Sequence, residues 1–218
     1  MAAHPSHEPA PQRPDVRLLL LPLPEFTLLP FGGFLDKLRF SADDADRSRQ
    51  RHCAWTLLGI DAQPVTSSSG VRVEIDATPA DVDWRAFDYL VVFGSRTVEK
   101  SMALAGAYAP VLRAASRYGL PLVAIDNASF LLARAGLLRG HEVALHWRHA
   151  AEFRSAFPRI AVRGELIYCF DRDRITSGTA GVTLSSGAGL DVVWPQLLAI
   201  LAIGGVLFTI SLARFRKT

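Results

Sequence analysis

Short apolar runs alternate with segments of helical period through residues 15–190, and this alternation constrains the fold more than any other feature. The runs at 16–23, 89–93 and 120–125 are almost continuously apolar, which is typical of parallel strands covered on both faces. Strands that alternate with helices predict a mainly parallel sheet inside a three-layer α/β sandwich. Further strands are predicted at 53–60, 71–75, 143–146, 166–170 and 174–176, and helices at 28–39, 102–118, 129–138 and 150–156.

The charge balance argues against a strongly basic surface on this body. The 218 residues include 24 Lys+Arg and 21 Asp+Glu, for a net charge of +3. Arg214, Arg216 and Lys217 account for the excess, since removing three from 24 leaves 21 basic and 21 acidic residues in 1–213. We therefore expect no direct nucleic-acid binding. Two cysteines are too few for a disulfide scaffold or a four-cysteine zinc site.

The two ends of the chain differ from the body in composition. Residues 1–14 are rich in Pro, Ala and His and have no hydrophobic period, which predicts a disordered leader. Residues 192–213 contain no charge, and a helix of this length can cross a bilayer core of about 30 Å. The predicted organisation is therefore the leader, a body at 15–186 and a single transmembrane helix with a basic end at 187–218. The alternative for the last segment is a buried terminal helix of the body.

The orientation of that helix in a membrane is contradictory. The positive-inside rule places residues 214–218 in the cytoplasm, which would put the body outside. The body has no export signal, however, because the apolar run at 18–23 is short, is followed by prolines and has no cleavage site. We expect a membrane-associated protein whose body lies on the cytoplasmic side.

The segment around Asp126 has the pattern of a nucleophile elbow. A strand ends at Ile125, and a helix is predicted shortly after Asn127, so the side chain between them would project from the carboxyl end of the sheet. Aspartate can act as a covalent nucleophile, but it then needs a partner that activates water. The alternative is that Asp126 or Asn127 only caps the helix that follows.

His146 is the candidate base for such chemistry. Without a thiol or a positioned serine it has nothing obvious to activate, so a structural histidine is the alternative. His146, His149 and Glu152 are three residues apart, which would align them on one face of a helix. Trp147 and Arg148 interrupt this set, and we expect no metal site.

Several segments of the body are specific enough to indicate a family. They include LLLPLPEFTLL at 19–29, and LLARAGLL at 131–138 followed at a set interval by His146-Trp147. Across residues 16–184 the chain resembles the amino-terminal half of GlxA-type regulators of the AraC family. That half is part of the PfpI-like, class I glutamine amidotransferase-like superfamily.

The resemblance implies a flavodoxin-like sandwich that is often a homodimer. In the regulators this half senses a small metabolite, commonly a nitrogenous one, and controls an attached DNA-binding half. The matching pocket positions in this chain, which we expect to bind the ligand, are Gly94, Ser95, Asp126, Asn127 and His146. We expect no cofactor.

This chain departs from the family at the positions that matter for catalysis. Enzymes of the superfamily have cysteine where this chain has Asp126. Their Gly-Gly after the third strand is Gly94-Ser95 here, and the larger residue narrows the backbone approach that forms an oxyanion site. Both changes argue against hydrolysis. The catalytic alternative is a PfpI-like amidase or hydrolase that uses Asp126 and His146.

The carboxyl end departs further. The regulators continue into two helix-turn-helix motifs, whereas this chain ends at residue 218. Residues 187–217 instead resemble the last helix of an ABC exporter permease. We expect a non-catalytic metabolite-sensing domain that lacks the helix-turn-helix half and is tethered to a membrane. The remaining alternative is a fusion fragment of a membrane transport system.

Overall fold

A six-stranded, mainly parallel sheet forms the centre of the structure, a computed structural model that describes residues 13–43 and 49–178. Its strands lie in the order β2-β1-β5-β6-β10-β9, and β9 alone among them runs antiparallel to its neighbour. The α/β class and the parallel sheet predicted from the alternating pattern are therefore confirmed. The strands are β1 (Val16–Pro22), β2 (Cys53–Leu57), β3 (Val65–Thr66), β4 (Arg72–Val73), β5 (Tyr89–Phe93), β6 (Leu122–Ile125), β7 (Glu142–Val143), β8 (Ala161–Val162), β9 (Tyr168–Asp171) and β10 (Arg174–Ser177).

Helices cover both faces of this sheet. They are α1 (Leu28–Ala42), α2 (Val98–Ala103), α3 (Ala105–Arg117), α4 (Ala128–Arg134) and α5 (Trp147–Ala156), with a short 3₁₀ turn at Trp84–Ala86. Alternate residues of β1 and β5 enter two separate apolar clusters: Leu19 and Val92 pack with α2 to α5, and Leu20 and Val91 pack with α1. Since successive strand residues point to opposite faces, the two clusters form the two outer layers of the sandwich.

Two predicted helices end or divide at positions that the sequence pattern did not indicate. The predicted helix at 102–118 is two helices, α2 and α3, which meet at Leu104. The predicted helix at 129–138 ends early because Gly136, and not Gly140, supplies the first left-handed residue, with φ of +80°.

The predicted strand at 143–146 was also wrong. Only Glu142 and Val143 form a strand, and His146 already caps the following helix. Ala144 donates its backbone N–H to the hydroxyl of Thr176 over 2.8 Å, so a side chain replaces the expected strand partner. The hairpin of 166–170 with 174–176 is confirmed as β9 and β10.

Among the described residues, no helix is both long and apolar enough to span a membrane. The transmembrane segment predicted at 192–213, within 187–218, lies outside the described residues, as does most of the predicted leader at 1–14.

Candidate functional site

The chain turns sharply at Asp126, where β6 ends and α4 begins one residue after Asn127. Asp126 has φ of +62°, a left-handed conformation that non-glycine residues adopt at a cost of about 1–3 kcal/mol. Its backbone N–H donates to the carbonyl of Ser177 over 2.9 Å, which holds the turn against the end of β10. The turn therefore has the elbow shape that the sequence predicted, with Asp126 at its tip.

The carboxyl of Asp126 is half-buried and lies beside the start of α1. Thr27 donates its hydroxyl to Oδ2 of Asp126 over 3.0 Å. Thr27 occupies the N-cap position of α1, yet its side chain makes no capping bond there. Burial raises the pKa of Asp126, although the hydrogen bond from Thr27 and the charges of His149 and His146 act in the opposite direction. The carboxyl therefore keeps its proton to a higher pH than an exposed aspartate does.

The charges of two histidines at the start of α5, His146 and His149, act on this carboxyl. His146 is the N-cap of α5, and its Nδ1 accepts the backbone N–H of Arg148 over 3.2 Å. Burial lowers the pKa of His146. Nδ1 of His149 lies 3.3 Å from Oε2 of Glu152, and its ring meets Phe130 edge-on at 6.1 Å. The centres of the two imidazole rings are 6.3 Å apart. The site therefore brings one carboxyl group and two imidazole groups together.

Asn127 does not cap α4 with its side chain, so that alternative for Asn127 is wrong. It sits at the N-cap position, but its amide bonds to the neighbouring loop after β5. Nδ2 donates to the carbonyl of Ser95 over 2.7 Å, and Oδ1 accepts the hydroxyl of Ser101 over 2.6 Å. Ser101 Oγ in turn accepts the backbone N–H of Ser95 over 3.0 Å. This buried network fixes the elbow against the end of β5.

Gly94 lets the end of β5 approach the elbow closely. A Cβ atom at this position would lie 2.6 Å from the backbone nitrogen of Ala128 and would also collide with Oδ1 of Asn127. Gly178 has the same role on the other side, because a Cβ there would lie 2.7 Å from Cα of His146. Both glycines are therefore needed to bring three chain segments together around Asp126.

The five predicted ligand-binding positions thus cluster, but in two different environments. Asp126 and His146 are half-buried, whereas Gly94, Ser95 and Asn127 are buried and the polar groups of the latter two are bonded within the protein. Whether any of them binds a ligand stays a prediction.

Sequence reasoning missed Thr27 as a partner of Asp126 and considered His149 only for metal binding. Thr27 lies 99 residues from Asp126, and a threonine before a helix looks like an ordinary cap. Across the described parts of the chain, no group of three or more His, Cys, Asp or Glu side chains could hold a metal ion.

The arrangement suits binding better than nucleophilic attack. A carboxyl group attacks only in its ionised form, and burial disfavours that form of Asp126. One of its oxygens is already engaged by Thr27. When ionised, the same group can accept hydrogen bonds from an ammonium or another donor and pair with its charge. The site therefore presents a half-buried carboxyl group at the tip of the elbow, close to two histidines.

The class of protein follows from the fold, a mainly parallel sheet with a sharp turn at the end of β6. Residues 43–184 match the DJ-1/PfpI family, and the chain belongs to that family. The flavodoxin-like sandwich that the resemblance implied is consistent with this membership.

Several of the similar curated proteins are transcriptional regulators. The chain is 33% identical over 160 residues to the HTH-type transcriptional regulator GbdR of Pseudomonas aeruginosa, which covers 72% of this chain and 41% of that protein. It is 34% identical over 177 residues to the HTH-type transcriptional regulator CdhR of the same species, covering 80% and 50% respectively. The chain thus spans half or less of the length of these relatives.

A solved structure supports the same fold. The AraC family transcriptional regulator from Pseudomonas putida superposes with a TM-score of 0.53 at 20% identity, over 75% of this chain and 84% of that one. A similarity at this level of identity concerns the fold alone.

A separate, shorter match is to a membrane transport protein. Over 39 residues the chain is 59% identical to the inner membrane transport permease YhhJ of Escherichia coli, which covers 18% of this chain and 10% of that protein.

Proposed function

We propose that the body of this chain is a non-catalytic domain that senses a small nitrogenous metabolite, related to the sensing half of AraC-type regulators. The observation that carries the proposal is the half-buried Asp126 at the elbow, hydrogen-bonded by Thr27 and flanked by His146 and His149. An ionised carboxyl in a partly desolvated pocket attracts a cationic or donor-bearing ligand more strongly than an exposed one does.

Signalling from this pocket would pass through the elements that meet at the elbow. Asp126 is hydrogen-bonded to Thr27, which precedes α1, and to Ser177 at the end of β10, and His146 caps the start of α5. A ligand that engages the carboxyl would therefore bias the relative positions of these elements. The neutral charge balance of residues 1–213 favours a sensing role without direct DNA contact by this chain.

A thermal-shift screen of the full chain tests the proposal. We expect at least one small amine, amino acid or quaternary ammonium compound at millimolar concentration to raise the unfolding temperature of the parent by several degrees. The same compound should leave D126N unaffected while still stabilising D36N, a control that removes an exposed carboxylate of α1. Equal stabilisation of the parent and D126N, or no response to any compound, would contradict the proposal.

The hydrolase alternative gives a different result in the same proteins. It requires turnover of amide or thioester substrates that is lost in D126N and in His146→Ala. Binding without turnover in the parent favours the sensor.

Membrane attachment through residues 192–213, with the body on the cytoplasmic side, is a further part of the proposal. It is supported by the lack of charge in this segment and by the permease match. We expect the full chain to remain in the membrane fraction after an alkaline carbonate wash, whereas a chain shortened after residue 186 should be released. Release of the full chain by the wash would contradict attachment.

The permease match also favours a second candidate function, a part in a membrane transport system. One segment cannot form a translocation path, so this function requires partner subunits. Co-purification of an ATPase with the full chain from membranes would favour it over a separate sensor.

A further inference from the structure

The carboxyl-terminal ends of α3 and α4 carry four exposed arginines. Two of them lie four residues apart at the end of α3, one is the last residue of α4, and one follows in the loop before β7. Together they form the arginine surface, which consists of Arg113, Arg117, Arg134 and Arg139. An exposed cluster of one charge sign on a folded domain attracts partners of the opposite charge.

Contacts around the end of α4 bring these arginines together. Arg113 donates Nη2 to the carbonyl of Ala135, the residue directly after Arg134, over 3.1 Å. Arg139 folds back over the same turn, since its Nε would lie 3.8 Å from a Cβ atom added at Gly136. The arginines of α3 and those at the end of α4 therefore share one surface.

The buried guanidinium of Arg174 fixes the two helix ends to each other. It donates to the carbonyl of Leu137, in the loop after α4, and to the hydroxyl of Ser116, each over 2.9 Å. Ser116 is the residue before Arg117. Because Arg174 is only 5% exposed and is bonded to both segments, it holds the arginine surface in a defined geometry.

Nearby acids neutralise the adjacent arginines but not the arginine surface. Nη1 of Arg174 lies 2.6 Å from Oδ2 of Asp173, and Nε of Arg172 lies 3.1 Å from Oδ1 of Asp171. None of the four arginines of the surface takes part in an ion pair with another described residue. The surface therefore presents four positive charges to a partner.

This concentration of charge opposes folding. Like charges four residues apart on a helix, such as those of Arg113 and Arg117, repel each other. One cation near the end of each helix complements the helix dipole, but four exceed what two helix ends require. The stability of the fold thus does not account for the cluster, whereas a bound anion would relieve the repulsion.

We propose that the arginine surface binds an acidic segment of a partner protein. Guanidinium groups pair with carboxylates through two parallel hydrogen bonds, and arginine and tyrosine are enriched at protein interfaces. Tyr118, directly after Arg117, is 51% exposed and stacks on Trp84 with the ring centres 6.3 Å apart, so it adds a rigid aromatic face. A helical segment with an acid at every fourth residue matches the spacing of Arg113 and Arg117.

The charge of the rest of the body favours a short acidic segment over a nucleic acid. Residues 1–213 contain equal numbers of basic and acidic residues. Four positive charges on a neutral body attract a compact acidic segment locally, whereas an extended polyanion such as DNA also approaches the acidic parts of the surface. We therefore assign the arginine surface to a protein partner.

The arginine surface lies at the opposite end of the sheet from Asp126. Arg174 is the first residue of β10, and the carbonyl of Ser177, at the end of that strand, accepts the backbone N–H of Asp126. Likewise, α4 begins beside the elbow and ends at Arg134. A partner can therefore bind whether or not the elbow is occupied, and the inference does not depend on the proposed metabolite.

Fluorescence anisotropy with the full chain in a neutral detergent tests the interface. The probe is a labelled helical peptide of Glu-Ala-Ala-Ala repeats, and a peptide of Gln-Ala-Ala-Ala repeats is the uncharged control. We expect saturable binding of the acidic peptide alone, with an affinity reduced about tenfold in R117Q/R134Q/R139Q. The matched variant R51Q/R72Q/R159Q loses the same charge from exposed arginines elsewhere and should lose affinity by about twofold at most.

Two further measurements keep the test independent of the folding of the triple variant, which far-UV circular dichroism checks. R117Q alone should weaken binding about twofold, and raising NaCl from about 50 mM to about 300 mM should weaken binding by the parent severalfold. No binding of the acidic peptide by the parent, or equal losses in the two triple variants, would overturn the proposal. Tighter binding of a DNA duplex with the same number of charges would overturn it in favour of a nucleic-acid site.

Discussion

At the scale of single residues, Asp126 combines a strained backbone with a carboxyl whose ionised form is disfavoured by its surroundings. Its φ of +62° is held by the bond to Ser177, and its side chain is held by Thr27. Neither feature improves packing in an apolar core. A position that costs stability in two ways is a candidate for function, since strain and desolvation of this kind concentrate at functional sites.

The raised pKa of Asp126 predicts how the stability of the protein depends on pH. Because this pKa is raised in the folded state, the protonated carboxyl contributes to the free energy of unfolding. That contribution is complete below the pKa of an ordinary aspartate and is lost as pH rises through the pKa of Asp126 in the folded protein. D126N does not ionise. We therefore expect the stability of D126N relative to the parent to increase between pH 4 and pH 7, measured by urea unfolding of the full chain. A difference that is independent of pH would contradict the assignment.

Ser101 provides a test of the network that supports the elbow. Its hydroxyl accepts the N–H of Ser95 and donates to Asn127, and all three residues are buried. Ser101→Ala removes the bonds to the backbone N–H of Ser95 and to Oδ1 of Asn127, so we expect a loss of about 1–3 kcal/mol in the free energy of unfolding. Ser68→Ala, at an exposed serine, should change stability by less than about 0.5 kcal/mol in the same denaturant titration.

At the scale of elements, the site depends on close approach between the end of β5, the elbow and the start of α5. Gly94 and Gly178 allow this approach, and each would clash with backbone if it carried a Cβ atom. The three-segment junction therefore tolerates no added volume at these positions, although neither glycine has a positive φ that would have revealed the constraint from local geometry.

Paired glycine substitutions measure that constraint. Gly94→Ala should destabilise the protein by about 1–3 kcal/mol, because the new methyl group overlaps Asn127 and Ala128. Gly106 lies at an exposed position of α3, and a Cβ atom added there would meet no other atom within 4 Å outside its own helix backbone. Gly106→Ala should therefore stabilise the protein by about 0.5–1 kcal/mol. Thermal unfolding of the two variants beside the parent should move in opposite directions. A neutral Gly94→Ala would show that the junction can relax.

The existence of the main strands could be predicted from the sequence, whereas several element ends could not. Continuous apolar runs gave β1, β5 and β6 within a few residues because full burial on both faces leaves no choice of residue type. The end of α4 at Gly136 and the loss of a strand before His146 depend on contacts with distant segments. The role of Thr27 could not be predicted for the same reason, since its hydroxyl bonds to the distant Asp126 and does not cap α1.

At the scale of the whole molecule, the described residues form a six-stranded sheet with the half-buried carboxyl of Asp126 at the carboxyl end of β6. The chain belongs to the DJ-1/PfpI family and is similar to two HTH-type transcriptional regulators over half or less of their length. Where the resemblance implies a cysteine, this chain has Asp126, so the titratable group at the tip of the elbow is a carboxyl.

Ligand binding by the Asp126 carboxyl should have a characteristic pH dependence. A quaternary ammonium compound does not titrate, so any change in its affinity reports on the protein. Since the ionised carboxyl of Asp126 is the attractive form and its pKa is raised, affinity should weaken on acidification at a higher pH than an ordinary aspartate would produce. Calorimetric titrations at several pH values between 4 and 8 provide the measurement.

Calorimetric titration of one such stabilising compound into the full-length parent and into D126N at pH 7.5 tests directly whether Asp126 binds the ligand. We expect saturable binding with one site per chain in the parent and a loss of affinity of at least tenfold in D126N, which corresponds to about 1.4 kcal/mol. Equal affinity in the two proteins would show that Asp126 is not the ligand-binding acid.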